Sequence, residues 1–159
     1  MSEHTVIQRL VVASGDNVTL WPALHIPRRP MGKARARNDT TAIHSADTTA
    51  LMERLIGNAM RRHMRTQFDD TPQPMIAKGR PIMLRVHAKF APSRSAFEKY
   101  GSGIYGTFHT ETPDASNILK LVEDALNGIA YEDDKQVVMP IVIKTWAPID
   151  ELVITIGEP

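Results

Sequence analysis

No cysteine occurs anywhere in the 159 residues. That absence removes disulfides, thiolate catalysis and zinc sites built on cysteine, and it fits a reducing, cytoplasmic setting. No run approaches the ~20 apolar residues of a membrane-spanning helix, so no membrane partner is expected. The opening MSEHTVIQRL lacks the basic-then-apolar layout of a secretory signal. The glycine spacing of a Walker-type phosphate loop is also missing, so no nucleotide cofactor is expected. What is present, 42% hydrophobic and 23% charged residues, is the composition of an ordinary globular chain. A chain of this length can bury a core without staples and is expected to form one domain over 1–159.

The net charge of +1 conceals an asymmetry. Residues 28–99 hold 15 Lys/Arg against 6 Asp/Glu, and residues 100–159 hold 3 against 10. A basic middle suits a polyanion and an acidic end suits cations. The alternative is that the two halves attract each other across the fold or across a dimer interface.

Residues 5–13 and 18–26 are β-rich and flank the turn signal SGDN, so they read as a hairpin. Trp21–Pro22 predicts an edge position or a bulge in its second strand, because proline cannot donate to a ladder. The following PRRPMGKARARND carries Arg28, Arg29, Lys33, Arg35 and Arg37 among Pro27, Pro30 and Gly32. Such a segment can lie along phosphates; read alone, it is equally a solvated basic loop. The spacing of Leu51, Leu55, Ala59 and of Met52, Ile56, Met60 predicts a helix over 48–67, capped by Ser45 or Asp47. Arg61, Arg62 and Arg65 then suit the negative end of its dipole.

Residues 81–90 alternate as a strand, with Arg85, His87 and Lys89 on the polar side. Residues 91–109 show no period and read as an irregular loop, a nucleic-acid contact or a floppy insertion. Arg94 and Lys99 lie there among Phe97, Tyr100 and Tyr105, a mixture that suits nucleic acid.

The densest information sits in TPDASNILKLVEDALNGIAYEDDKQVV, residues 112–138. Asp114 is placed to cap a helix whose apolar face is Ile118, Val122, Ala125, Leu126 and Ile129. Asn117, Lys120 and Asp124 share an adjoining stripe, with Lys120 and Asp124 an i,i+4 pair. Gly128 suits a left-handed cap. Asp133 and Asp134 lead into a strand over 136–143, and ELVITI at 151–156 makes a last one. A carboxylate at a helix start and another at the next strand start can share a hard cation, with a lysine to neutralise charge on a phosphate. By spacing alone they are also explained as a cap, an acidic turn and a surface ion pair.

This segment resembles the RusA family of Holliday-junction resolvases. The likeness rests on the proline–aspartate start, the asparagine, the lysine one turn on, the Asp-Ala-Leu helix end and the double aspartate before x-Gln-Val. It is dense over about 110–140 and looser over 24–109, where IPRRPMGKARAR looks like the family's early strand and basic segment. The resemblance implies an α+β fold, a mixed β-sheet of about four to six strands with two main helices. Residues 1–23 would be an extension within the same sheet.

The resemblance further implies a Mg²⁺-dependent endodeoxyribonuclease, with Mn²⁺ as a possible substitute. It would act as a homodimer that nicks four-way DNA junctions symmetrically in recombination and repair. A prophage origin is also implied. Carried over by position, Asp114, Lys120 and Asp134 would be catalytic. Asp114, Asp133 and Asp134, with Ser116 through water, would hold the metal, and Asn117 and Asp124 would support them. Arg28, Arg29, Lys33, Arg35, Arg37, Arg94 and Lys99 would contact DNA. One departure stands out: members with the fullest acidic motif carry an aspartate where this chain has Ser116. That leaves a second expectation, a branched-DNA-binding dimer that cuts poorly or not at all. A third, an assembly protein with no nucleic-acid role, requires that junction DNA fail to bind.

Overall fold

A computed structural model describes residues 9–11, 17–33, 40–68 and 74–159. The expected turn at 14–16 and the basic residues Arg35 and Arg37 lie outside these. Six strands form one mixed sheet: β1 (Arg9–Val11), β2 (Asn17–Leu20), β3 (Leu24–Ile26), β4 (Ile82–Phe90), β5 (Val137–Trp146) and β6 (Glu151–Glu158). Among the described residues three α-helices accompany them: α1 (Thr40–Phe68), α2 (Arg94–Tyr100) and α3 (Ala115–Leu126). The two long ones, α1 and α3, are the two main helices of the expected α+β fold.

Strand β6 lies between β4 on one side and the β2–β3 run on the other, and both pairings are antiparallel. Leu20 pairs with Gly157 and Leu24 with Ile154, so four steps on one strand face three on the other. The extra residue is a bulge at Trp21–Pro22–Ala23, where proline breaks the ladder as expected. Trp21 N–H still donates to Ile156 O at 2.9 Å. The β1–β2 pair extends the sheet beyond this point.

Strand β5 runs parallel to β4 at the opposite edge. A parallel neighbour needs a long crossover, and here the crossover carries α2 and α3. The outer edge of its far end is covered: Trp146 N–H donates to Thr107 O at 3.0 Å and His109 N–H to Lys144 O at 3.0 Å.

In β4, Ile82, Leu84, Val86, Ala88 and Phe90 are buried while Arg85, His87 and Lys89 are half-buried, the alternation the sequence predicts. They meet Ile118, Leu121, Val122 and Leu126 of α3 and Ile56, Met60 and Met64 of α1 in one core. Helix α1 starts at Thr40, well before the expected residue 48, so Ser45 and Asp47 fall inside it and are not its caps. The segment 91–109 is also more ordered than its composition suggests. Ser93 Oγ accepts from Ala96 N–H and starts α2, and a 3-10 turn, Gly101–Ile104, follows.

Helices α1 and α3 meet where Gly57 removes a side chain. A Cβ there would stand 2.9 Å from Ile129 Cδ1 and 3.2 Å from Ala125 O. The second neighbour is backbone and gives little. Gly57→Val is therefore expected to destabilise the fold by about 1–3 kcal/mol through overpacking. A thermal melt reads this directly, and an unchanged midpoint would show that the helices are not locked at this point.

Candidate active site

The site begins at Asp114. It occupies the N-cap position of α3, and its carbonyl accepts from Asn117 and Ile118 N–H at 3.1 Å each. Its carboxylate makes no capping bond. The nearest polar contact is Asn117 Nδ2, 3.5 Å from Oδ2, too long to be a firm hydrogen bond. The side chain is exposed. So the expectation that Asp114 caps the helix is corrected: the backbone starts the helix and the carboxylate is left for other work. Ser116, on the first turn, is exposed as well.

Two turns on, Lys120 reaches both Asp124 and Asp134. Its Nζ lies 3.1 Å from Asp124 Oδ1 and 3.0 Å from Asp134 Oδ2. The hydrogen bond to Asp134 first, and that to Asp124 second, hold the ammonium above the ordinary lysine range. Lys120 is thus a standing cation at neutral pH and cannot act as a base there.

The second oxygen of Asp124 is taken by Lys33, whose Nζ also lies 3.7 Å from Glu53 Oε1 on α1. This contact depends on how the basic segment crosses α3. Lys33 N–H donates to Asn117 O at 2.9 Å. A Cβ on Gly32 would come 2.8 Å from Asn117 Cβ and 3.1 Å from Pro113 Cβ. Only glycine lets the chain pass this close. Burial alone would raise the Asp124 pKa, but the hydrogen bonds from Lys33 and Lys120 overcome it and hold the carboxyl below its usual range. Glu123, its neighbour, is pushed up by burial against the pull of Lys120.

Asp133 and Asp134 divide their labour. Asp133 Oδ1 accepts from Lys135 N–H at 3.1 Å, and its carboxylate pairs with Lys135 Nζ at 2.7 Å. It caps the 3-10 turn Asp134–Gln136, whose first residue turns its carboxylate to Lys120. Gln136 locks this turn. Its Oε1 accepts from Glu132 and Asp133 N–H at 3.1 Å each. Its Nε2 donates to Ala77 O at 2.9 Å and Arg80 O at 3.1 Å. Gly128, at φ +73°, ends α3 as expected.

The candidate DNA contacts fall into two kinds. Arg28 is exposed and its side chain has no partner among the described residues. Arg29 pairs with Asp150 at 3.1 Å and stands 5.6 Å above the Phe90 ring. Lys33 belongs to the acid–lysine cluster. Arg94 pairs with Glu98 one turn away, and Lys99 lies 4.9 Å over Tyr100. Among the described residues no group of three or more His, Cys, Asp or Glu gathers as a metal site, and no helix is long and apolar enough to cross a membrane.

The mixed sheet thus carries a helix whose Lys120 lies between two aspartates. The chain belongs to the endodeoxyribonuclease RusA family, whose family model matches residues 27–157. Among curated proteins nothing matches. Family membership implies an endodeoxyribonuclease of the Holliday-junction-resolving kind, acting on branched DNA. The β1–β2 pair lies outside the matched region.

Reading by residue type misses three participants: Gly32, Glu53 and Gln136. Gln136 had a signal, a glutamine directly after the acidic turn at the mouth of an apolar strand. Gly32 and Glu53 had none, since each acts through a contact distant in sequence.

Two measurements test these assignments. Gln136 is only 5% exposed, so Gln136→Leu strands two amide N–H groups and two carbonyls. A loss of roughly 2–4 kcal/mol in denaturant unfolding is expected; a loss below about 0.5 kcal/mol would remove it as the lock. Asp124→Asn keeps the shape and removes the charge. With both lysines more than a third exposed, it should cost about 1 kcal/mol at neutral pH. The folded-state pKa of Asp124 is depressed, so the wild-type advantage is full above the ordinary value of 3.8 and fades as pH falls through the lower folded value. The raised pKa of Lys120 places the opposite loss at the alkaline end, as pH climbs past the ordinary 10.5. A difference between variant and wild type that stays flat across both limbs would sink this account.

Proposed function

We propose that this protein is a Mg²⁺-dependent junction-resolving endodeoxyribonuclease that works as a homodimer, with Mn²⁺ able to replace Mg²⁺. The observation that carries the reading is the Lys120 ammonium held between Asp124 and Asp134, on the helix whose N-cap residue, Asp114, spends no side-chain bond on capping. Asp114 and Asp134 would hold the cation, Ser116 through a water, with Asp133 fixing the turn beside them. These are hard oxygen donors, and Mg²⁺ needs only one or two protein carboxylates when waters and phosphate oxygens complete its shell. That no group of three such ligands gathers among the described residues is therefore compatible with it. When bound, the ion supplies an activated water and relieves charge on the leaving oxygen.

The chain's own groups do the rest. Lys120 offers a fixed positive charge where negative charge grows on the phosphate. Asp124 aims Lys120, and Asn117 sits beside Asp114. Arg28, Arg29, Lys33, Arg35, Arg37, Arg94 and Lys99 supply the cationic surface that a DNA backbone needs. Two copies related by a two-fold axis would cut symmetry-related strands.

Ser116 favours a second reading, a dimer that binds branched DNA and cuts it slowly. The residue is exposed at the head of α3 and brings no charge. One experiment covers both. A labelled synthetic four-way junction is incubated with the protein and Mg²⁺ or Mn²⁺. Paired nicks are expected, and Lys120→Ala and Asp134→Asn should each slow them at least ~100-fold. Cleavage that survives both substitutions would overturn the site. Salt-sensitive binding without nicks, with cutting gained by Ser116→Asp, would establish the second reading.

A further inference from the structure

A cavity lies among residues that the candidate site does not use. It measures about 500 Å³ and is lined by Ala96, Tyr100, Ile104, Thr107, Glu111 and Trp146 among others. Its walls come from α2, the 3-10 turn, the 106–111 segment and the far end of β5. The volume falls in the usual range for small-ligand sites.

Its chemistry is selective. Tyr100 and Trp146 give aromatic surface, and Thr107 and Thr110 give hydroxyls. Glu111 adds a carboxylate, an acceptor without a donor at neutral pH. Of the lining residues, Tyr100 is 56% exposed. Lys99 Nζ stands 4.9 Å from its ring, so this wall joins an exposed ring to a cation. Exposed rings beside cations are the usual means of holding an unpaired base and its backbone. The wall also leads into the site: Glu111 precedes Asp114 by three residues, which the chain spans in at most ~10 Å. Lys144 Nζ donates to Glu111 O and fixes that wall to β5.

We propose that this cavity receives one unpaired nucleobase from the branch point of the DNA substrate, stacked on aromatic surface while its amino edge faces Glu111. The inference rests on the reading of the protein as a branched-DNA nuclease and adds a base-binding subsite to it. A base pair at a branch point lacks a continuous stack on one side, so extruding one of its bases costs less than inside a duplex. Glu111 accepts from exocyclic amino groups, so adenine, cytosine and guanine fit and thymine is disfavoured.

The test uses four-way junctions in which single abasic sites replace each nucleotide near the branch point in turn. Binding is measured in EDTA and nicking in Mg²⁺. One position is expected to weaken wild-type binding roughly 5- to 100-fold, the range of a lost base–aromatic stack. Tyr100→Ala, at an exposed position, should lose affinity for the intact junction and become indifferent to the abasic site. Glu111→Gln, which adds a donor, should reduce the penalty for thymine at that position. The proposal is overturned if no position is sensitive. It is equally overturned if the Tyr100→Ala and abasic effects simply multiply while wild type still binds and nicks the intact junction. Failure of wild type to bind or nick any junction would remove both the nuclease reading and this subsite.

Discussion

One carboxylate, Asp124, holds a lysine on each side, and the site depends on it. Lys120 comes from its own helix and Lys33 from a segment 91 residues away. A half-buried aspartate with one lysine would be a common surface pair worth little. With two it becomes a junction between α3 and the chain that crosses it. The crossing is then fixed a second time by Lys33 N–H on Asn117 O and a third time by the missing side chain of Gly32. Two of these constraints fall at the start of α3, beside Asp114, Ser116 and Asn117, and the Asp124 pair falls on its last turn.

The other half of the site is positioned by different means. Asp134 lies at the mouth of an edge strand, where a turn would ordinarily fray. Gln136 prevents this with four hydrogen bonds that reach the turn on one side and the 77–80 loop on the other. Asp133 completes the arrangement by capping, which leaves Asp134 alone to meet Lys120. The result is a rigid pair of supports, one helical and one extended, each carrying acids toward a shared ammonium. Rigid elements hold a catalytic group more closely than loops do.

Much of this was legible in the sequence, and the unread parts share a cause. The α3 face, the Lys120–Asp124 pair, the Gly128 cap, the β4 alternation and the Trp21–Pro22 bulge follow from local periodicity and turn chemistry, which act within a few residues. Local signals failed at the start of α1 and in the 91–109 segment. In the second, a single serine cap that composition does not advertise starts a helix. The site itself was half legible. Residue types and spacing marked Asp114, Lys120 and Asp134, but not which aspartate faces the lysine. The basic segment looked like a phosphate contact, while Lys33 is folded inward onto Asp124 and Arg29 onto Asp150. Long-range pairing of opposite charges, one of the two explanations for the charge split, therefore accounts for part of the basic surplus.

That inward fold changes how Ser116 should be judged. Glu53, Asp114, Asp124 and Asp134 carry four negative charges, and Lys33 and Lys120 carry two positive ones, so these groups together hold a formal excess of two negative charges. On the proposed reading, a divalent cation brings that excess to zero before the phosphodiester arrives. An aspartate at 116 would instead leave the occupied site with one negative charge, which opposes the phosphate. A serine there weakens the hold on the cation but spares the phosphate that repulsion. On the proposed reading, the departure at Ser116 therefore favours the phosphate at the expense of the cation, and Lys33, contributed by the basic segment, adds to that preference.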